Sequence, residues 1–194
     1  MDSIDYYNQN ASAYYDKTVH VDMAKIMQPF INLLPENAEL LDMGCGSGRD
    51  TLALEEAGFS VTAMDGAIEM CRLAEIYTDK EILHLTYEEM DFLNVFDGIW
   101  ACASLVHIPY KKMPQILGKM VDALVKDGLI YLSLREGERS GWDGLREYYD
   151  YNEEVLLNLL GNIPGIAIVD IWKTLPLIED DNPAMWWNII LRKG

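Results

Sequence analysis

An α/β fold built on a mostly parallel sheet is what this sequence predicts, and three observations carry it. Short apolar runs alternate with amphipathic segments through most of the chain. The run Asp97-Gly98-Ile99-Trp100-Ala101-Cys102 is almost wholly apolar, as expected of a parallel strand buried on both faces. Two last runs, 166–172 and 186–191, have only a loop between them, which predicts a terminal strand pair with one antiparallel strand.

The elements follow in order. Residues 6–18 are rich in Tyr and Asn with no clean period, and read as a partly helical lid. Asp22 is placed to cap a helix whose apolar residues Met23, Ile26, Met27, Phe30 and Leu33 recur at helical spacing. Pro29 should kink or shorten it, and Pro35 ends it. Leu40, Leu41 and Met43 form a strand that runs into Gly44-Cys45-Gly46-Ser47-Gly48. A helix over 50–57 is stopped by Gly58, and a strand over 59–64 ends at Asp65. A second helix carries Met70, Leu73, Ala74 and Tyr77 on one face, and a third strand covers 82–87. After the strand at 97–102, Pro114 opens a helix carrying Ile116, Leu117, Met120, Val121 and Leu124 and closed by Asp127-Gly128; a strand follows over 129–134. Residues 135–151 are polar and aromatic, with Gly137, Gly141 and Gly144 breaking any helix, and Asn152 caps a short helix through Leu160. The expected organisation is a single domain over 1–194, with 1–35 as an N-terminal lid and helical segment.

Bulk composition narrows the function. A chain of 194 residues can bury roughly 70% of its unfolded surface. Its net charge of −17 argues against nucleic acid or an anionic membrane as partner, because phosphate binding needs clustered Lys and Arg. No apolar run approaches the roughly 20 residues of a membrane span, and Met1-Asp2-Ser3-Ile4-Asp5 has no basic leader. Cys45, Cys71 and Cys102 have no metal-ligand spacing, so no metal is expected and a reduced, cytoplasmic location fits. A monomer or a homodimer is expected.

The chemistry centres on Asp42-Met43-Gly44-Cys45-Gly46-Ser47-Gly48-Arg49. Three glycines on alternate positions after a strand let a ligand approach the backbone closely. A dinucleotide fingerprint would need a third glycine where Arg49 stands. Asp42 would also oppose a pyrophosphate, whereas it suits a ligand carrying ammonium and sulfonium groups. The D-x-G-C-G-x-G pattern closely resembles motif I of the class I S-adenosylmethionine (SAM)-dependent methyltransferases. Asp65 lies about 20 residues past the first glycine, where a carboxylate can accept both ribose hydroxyls or simply form a turn before Gly66. Lys126-Asp127-Gly128-Leu129 also resembles the family's turn into its fifth strand.

That resemblance covers most of the chain and implies a Rossmann-like three-layer sandwich, with a seven-stranded sheet in the order 3-2-1-4-5-7-6. It implies that SAM is the cofactor, with S-adenosylhomocysteine (SAH) as product. Asp42, Gly44, Cys45, Gly46, Asp65, Gly66 and Met70 would then hold it, with Tyr14 from the lid. Glu88-Glu89-Met90-Asp91-Phe92 resembles the segment that seats adenine, with Met90, Asp91 and Phe92 as its contacts, or is an ordinary charged loop. Cys102 lies in the stretch that covers the methionine moiety, and His107 in that same loop is either a general base or a structural residue of the loop. Arg49, the Ala103-Ser104-Leu105-Val106-His107-Ile108-Pro109 loop and Arg146-Glu147-Tyr148-Tyr149 resemble the tellurite-resistance-related methyltransferases. There the residue at Arg49's position is thought to pair with the SAM carboxylate.

The chain lacks the Asp/Asn-Pro-Pro-Tyr/Phe and Pro-Cys signatures of nucleic-acid methyltransferases. A small-molecule acceptor is therefore expected, entering past 6–18, His107 and 135–151. Arg135, Arg139 and Arg146 could select an anionic or carbonyl-bearing acceptor there, or simply be a solvated set. The alternatives are a non-enzymatic SAM/SAH-binding or regulatory protein and, further off, an NAD-dependent oxidoreductase.

Overall fold

Strands at the centre of the sheet are apolar on both sides because helices cover both sides. The computed structural model describes residues 3–142, 145–178 and 183–194. Its elements are α1 (Ser3–Thr18), α2 (Ala24–Ile31), β1 (Glu39–Met43), α3 (Arg49–Glu56), β2 (Ser60–Asp65) and α4 (Ile68–Thr78). Then come β3 (Leu83–His84), β4 (Phe96–Ala101), a 3-10 turn (Leu105–His107), α5 (Met113–Ala123) and β5 (Leu124–Arg135). The chain closes with β6 (Ser140–Trp142), β7 (Glu147–Tyr149), α6 (Glu153–Gly161), β8 (Ile166–Thr174) and β9 (Trp186–Lys193).

Seven strands join in the order β3-β2-β1-β4-β5-β9-β8, with β6–β7 as a separate hairpin. Strands β1 to β5 pair in parallel, and β9 runs antiparallel between β5 and β8. Once the hairpin strands are set aside, this is the expected order 3-2-1-4-5-7-6. On one face Leu41, Met43, Ile99, Ile130 and Leu132 pack under α5 and α6. On the other, Leu40, Trp100 and Tyr131 meet Ile26, Met27 and Phe30 of α2 and Leu54 of α3, while Ala63 packs with Cys71 and Ala74 of α4. The result is a three-layer sandwich. Trp100 and Tyr131 stack at 3.8 Å and 13°, a pair worth about 0.5–1.5 kcal/mol beyond the area buried.

Several elements differ from expectation. The Tyr-rich start is a helix, α1, kinked at Asn10 (φ −118°, ψ 16°). Its period is carried by Ile4, Tyr7, Ala11 and Tyr14, a 3-4-3 stripe that packs on Ala67 and Met70. Pro29 lies inside α2, which is only eight residues long, and Asp22 Oδ1 accepts from Ala24 N at 2.8 Å. Strand β3 keeps two of its six expected residues, because only Leu83 and His84 find partners on β2. Helix α5 ends at Ala123, and Leu124 already pairs with Phe96; the register then shifts, with Asp127 at φ 63°. The polar segment after β5 forms the β6–β7 hairpin. Gly144, expected to help break that segment, lies outside the described residues, as do Met1 and Asp2. Asn152 caps α6 as expected, its side chain accepting from Val155 N at 2.9 Å. No helix among the described residues is long and apolar enough to cross a membrane.

Gly98 sits mid-strand in β4 because α2 leaves room for nothing larger. A Cβ there would stand 2.9 Å from Phe30 Cζ, Leu34 Cδ2 and Leu40 Cδ2. Gly98→Val should therefore cost about 1–3 kcal/mol by overpacking. Denaturant unfolding measures it, and unaltered stability would show that α2 is not seated tightly on β4.

Candidate active site

The glycine turn is closed from both sides. Gly44, Gly46 and Gly48 have φ of 79°, 55° and 79°. A side chain at Gly44 would collide with Tyr87 and Ser104, and one at Gly48 with Thr78 and Ala74. Gly44 N and Cys45 N both donate to Met64 O, at 2.9 and 3.0 Å. Asp65, at the end of β2, accepts from Gly46 N at 3.0 Å with Oδ2 and from Ala67 N at 2.8 Å with Oδ1. Burial pushes its carboxyl up, and the two amides oppose that shift. Each oxygen retains acceptor capacity for a ligand hydroxyl.

A cavity of about 260 Å³ opens over this turn, at the C-terminal ends of β1 to β4, the place where open α/β sheets bind ligands. Gly44 and Gly46 line it after β1, and Asp65, Gly66 and Ala67 after β2, with Met70 from α4. The segment after β3 adds Thr86, Tyr87 and Glu88, and the segment after β4 adds Cys102, Ala103, Ser104 and His107. Helix α1 closes the near wall with Ile4, Tyr7 and Tyr14. Ala103 adopts φ 54°, held by a hydrogen bond from its N–H to Ser133 Oγ at 2.8 Å. A non-glycine residue in that conformation is uncommon and recurs at functional sites. A larger hollow of about 460 Å³ lies against α6, β8 and β9. Its one cation, Lys173, is already paired with Glu136.

Of the residues read from the sequence, Tyr14, Gly44, Gly46, Asp65, Gly66, Met70, Cys102 and His107 line the strand-end cavity. The others stand elsewhere, each for a local reason. Asp42 is 2% exposed and accepts the Thr51 hydroxyl at 2.6 Å beneath the turn. Burial, and then Asp50 beside it, pushes its carboxyl up to about 7. It props the turn from beneath and is not among the residues lining the strand-end cavity. Arg49 forks onto Asp50, at 2.7 Å through Nε and 2.9 Å through Nη2, and reaches Thr18 O at 3.4 Å. Asp50 in turn accepts from Trp100 Nε1 at 2.8 Å. Arg49 thus ties the turn to the end of α1. The Cys45 side chain packs against α4.

Met90, Asp91 and Phe92 lie past the cavity. Met90 is buried in the core under α5, Asp91 is exposed, and Phe92 meets Phe96 edge-on at 5.1 Å. Because β3 ends at His84, the chain lines the cavity at 86–88, and of the 88–92 segment only Glu88 does so. Burial, with Asp50 next in effect, pushes the Cys102 thiol up to about 12, which disfavours the thiolate.

His107 is held by both nitrogens. Its Nδ1 lies 2.5 Å from the Glu147 carbonyl and its Nε2 2.9 Å from the Tyr7 hydroxyl. A carbonyl only accepts, so Nδ1 carries the proton and Nε2 accepts from Tyr7. Arg146 Nη1 donates to the same Tyr7 oxygen at 2.7 Å and lies over the Tyr6 ring at 4.3 Å. Arg135 and Arg139 instead share Asp150, at 3.8 and 3.5 Å. Tyr7 was missed in the sequence, although its place in the stripe with Ile4, Ala11 and Tyr14 marks it as facing the domain.

Residues 40–128 match the family model of a methyltransferase domain. An uncharacterized methyltransferase of Staphylococcus carnosus is 28% identical over 149 residues, 72% of each chain. The ubiquinone biosynthesis O-methyltransferase of Rickettsia typhi is 27% identical over 100 residues, 49% of this chain and 40% of that one. Among solved structures, the Burkholderia thailandensis 1,6-didemethyltoxoflavin-N1-methyltransferase, with 1,6-didemethyltoxoflavin and SAH bound, superposes with a TM-score of 0.75 at 23% identity. That likeness covers 98% of this chain and 85% of the other. The tellurite-resistance resemblance gains no support from these matches. Over residues 40–128 the chain is thus similar to methyltransferase domains, and it shares the fold of SAM-dependent methyltransferases.

Proposed function

We propose that this chain transfers the methyl group of SAM to a small-molecule acceptor, leaving SAH. The observation that carries the reading is the strand-end cavity in which the Asp65 carboxylate and the glycine turn share one wall. The residues suit the cofactor. The glycines keep side chains out of the turn, and Asp65 offers lone pairs to ribose hydroxyls without a pyrophosphate-binding third glycine nearby. On this reading Met70, Thr86 and Tyr87 would flank the adenine, and Tyr14 and Cys102 the methionine end. SAM supplies a methyl group on a positive sulfur, already activated, so the protein's share is positioning and exclusion of water.

Two relatives bear on the acceptor by their names, one an O-methyltransferase and the other an N1-methyltransferase. The atoms differ, so the acceptor side is read from this chain. The route past α1, His107 and the β6–β7 hairpin is walled by Tyr7, His107 and Ile108, with Lys112 paired to Glu88 at 3.0 Å at the rim. A small, planar, partly polar molecule fits these walls.

SAH should raise the melting temperature, reaching about 2.7 kcal/mol of stabilisation at a hundredfold excess over its Kd. NAD should leave the melting curve in place. The reverse pattern would overturn the cofactor assignment. Asp65→Ala should weaken SAH binding by about 1–3 kcal/mol, the cost of stranding hydrogen-bonding groups. It should also lower the melting temperature, since Gly46 N and Ala67 N lose their acceptor. Calorimetry showing unaltered SAH affinity in that variant would remove Asp65 from the ligand's contacts.

A further inference from the structure

Three distant segments converge on one hydroxyl at the acceptor side of the cavity. Tyr7 comes from α1, His107 from the turn after β4 and Arg146 from the segment leading into β7. A phenylalanine at position 7 would pack as well against Tyr14 and Met70, so the oxygen is there for its hydrogen bonds. We propose that Tyr7 is a catalytic residue that takes the acidic proton of a planar O–H or ring N–H acceptor while passing its own proton to His107. The proposal rests on the methyltransferase reading and names the acceptor chemistry within it.

The step balances as a proton relay. The acceptor's X–H bond breaks and its proton forms a bond to Tyr7 Oη. The Tyr7 O–H bond breaks in turn, and that proton goes to His107 Nε2. The electron pair left on X is the one that receives the methyl group. The imidazolium formed keeps its Nδ1–H on the Glu147 carbonyl and releases its extra proton to solvent.

The direction follows from the groups that surround it. Tyr7 Oη accepts from Arg146 Nη1 and donates to Nε2, which leaves its second lone pair for an incoming donor among its described contacts. Burial, more than any neighbour, holds the Tyr7 phenol well above its ordinary pKa, with Tyr14, Tyr148 and Tyr87 adding and Arg146 opposing. Tyr7 therefore stays protonated and relays the proton without being a tyrosinate. His107 also meets the Tyr148 ring at 4.8 Å. Among the described residues, Arg146 donates to the relay oxygen itself, while Lys112 and Glu88, which also line the cavity, are paired with each other, and Asp65 lines it after β2. The hydrogen bond from Arg146 Nη1 holds the Tyr7 oxygen in place, so its proton stays directed at His107 Nε2.

The test uses p-nitrophenol, whose anion absorbs at longer wavelength than the neutral phenol, titrated against the free protein and against its SAH complex. The apparent ionisation midpoint of the bound phenol should fall by about one pH unit or more, a tenfold shift in the equilibrium. Tyr7→Phe should abolish the fall. So should His107→Gln, whose amide can keep both hydrogen bonds and cannot take a proton. SAH calorimetry on the same samples should give affinities within about threefold of wild type, well under 1 kcal/mol. Histidine ¹⁵N spectra of the free protein should show Nε2 of His107 unprotonated and Nδ1 protonated. An unshifted phenol midpoint in wild type, a shift that survives in either variant, or an Nε2–H tautomer would overturn the relay. A flat SAH titration with the histidine and phenol signals as described would instead overturn the cofactor reading and leave the relay standing.

Discussion

The Asp65 carboxylate holds two backbone amides at once, Gly46 N from the turn after β1 and Ala67 N from the start of α4. That double contact sets the spacing between neighbouring strand ends, and the cavity is the gap it leaves. The turn cannot relax elsewhere, because Gly44 is boxed by Tyr87 and Ser104 and Gly48 by Thr78 and Ala74. Beneath it, Asp42 props Thr51, while Asp50 receives both Arg49 and Trp100. Buried carboxylates are costly unless they accept hydrogen bonds. Here each one is spent on shaping backbone or on tying α3 to the sheet.

Much of this was legible from residue order. Alternating apolar and amphipathic segments predicted the sheet, and glycines on alternate positions after a strand predicted the turn. Asp65 was readable because a strand end in a parallel sheet faces the ligand side. What could not be read is which way a polar side chain turns at such an end. Asp42 and Asp65 both close strands, yet α3 covers the first and the cavity reaches the second. Arg49 could have faced a carboxylate on a ligand or its neighbour Asp50, and spacing alone does not separate the two. The 88–92 segment meets the cavity only through Glu88, because an edge strand two residues long ends early and brings 86–88 to the cavity.

The N-terminal wall shows how a partial period hides. Ile4, Tyr7, Ala11 and Tyr14 form a helical stripe, but the tyrosines at 6 and 15 on other faces blur it, and the kink at Asn10 divides it. Tyr6 has its own work, since Arg146 lies over its ring, and Tyr15 meets Tyr77 edge-on at 6.0 Å. Helix α1 is thus fastened on three sides, by α4, by Arg49 at its C-terminal end and by the segment bearing Arg146. Opening the cavity to admit an acceptor means breaking contacts of aromatic rings and single hydrogen bonds and leaves the sheet itself untouched. Local opening of that kind draws on the low-stability end of a fold.

The central claim is that the glycine turn and Asp65 form a nucleoside-binding wall. A crystal structure of the protein grown with SAH tests it most directly. The account predicts density for the ribose with both hydroxyls within hydrogen-bond distance of the Asp65 oxygens, and the sulfur end beside Gly44 and Cys102. Density for SAH elsewhere, with the Asp65 carboxylate bound only to Gly46 N and Ala67 N, would contradict it.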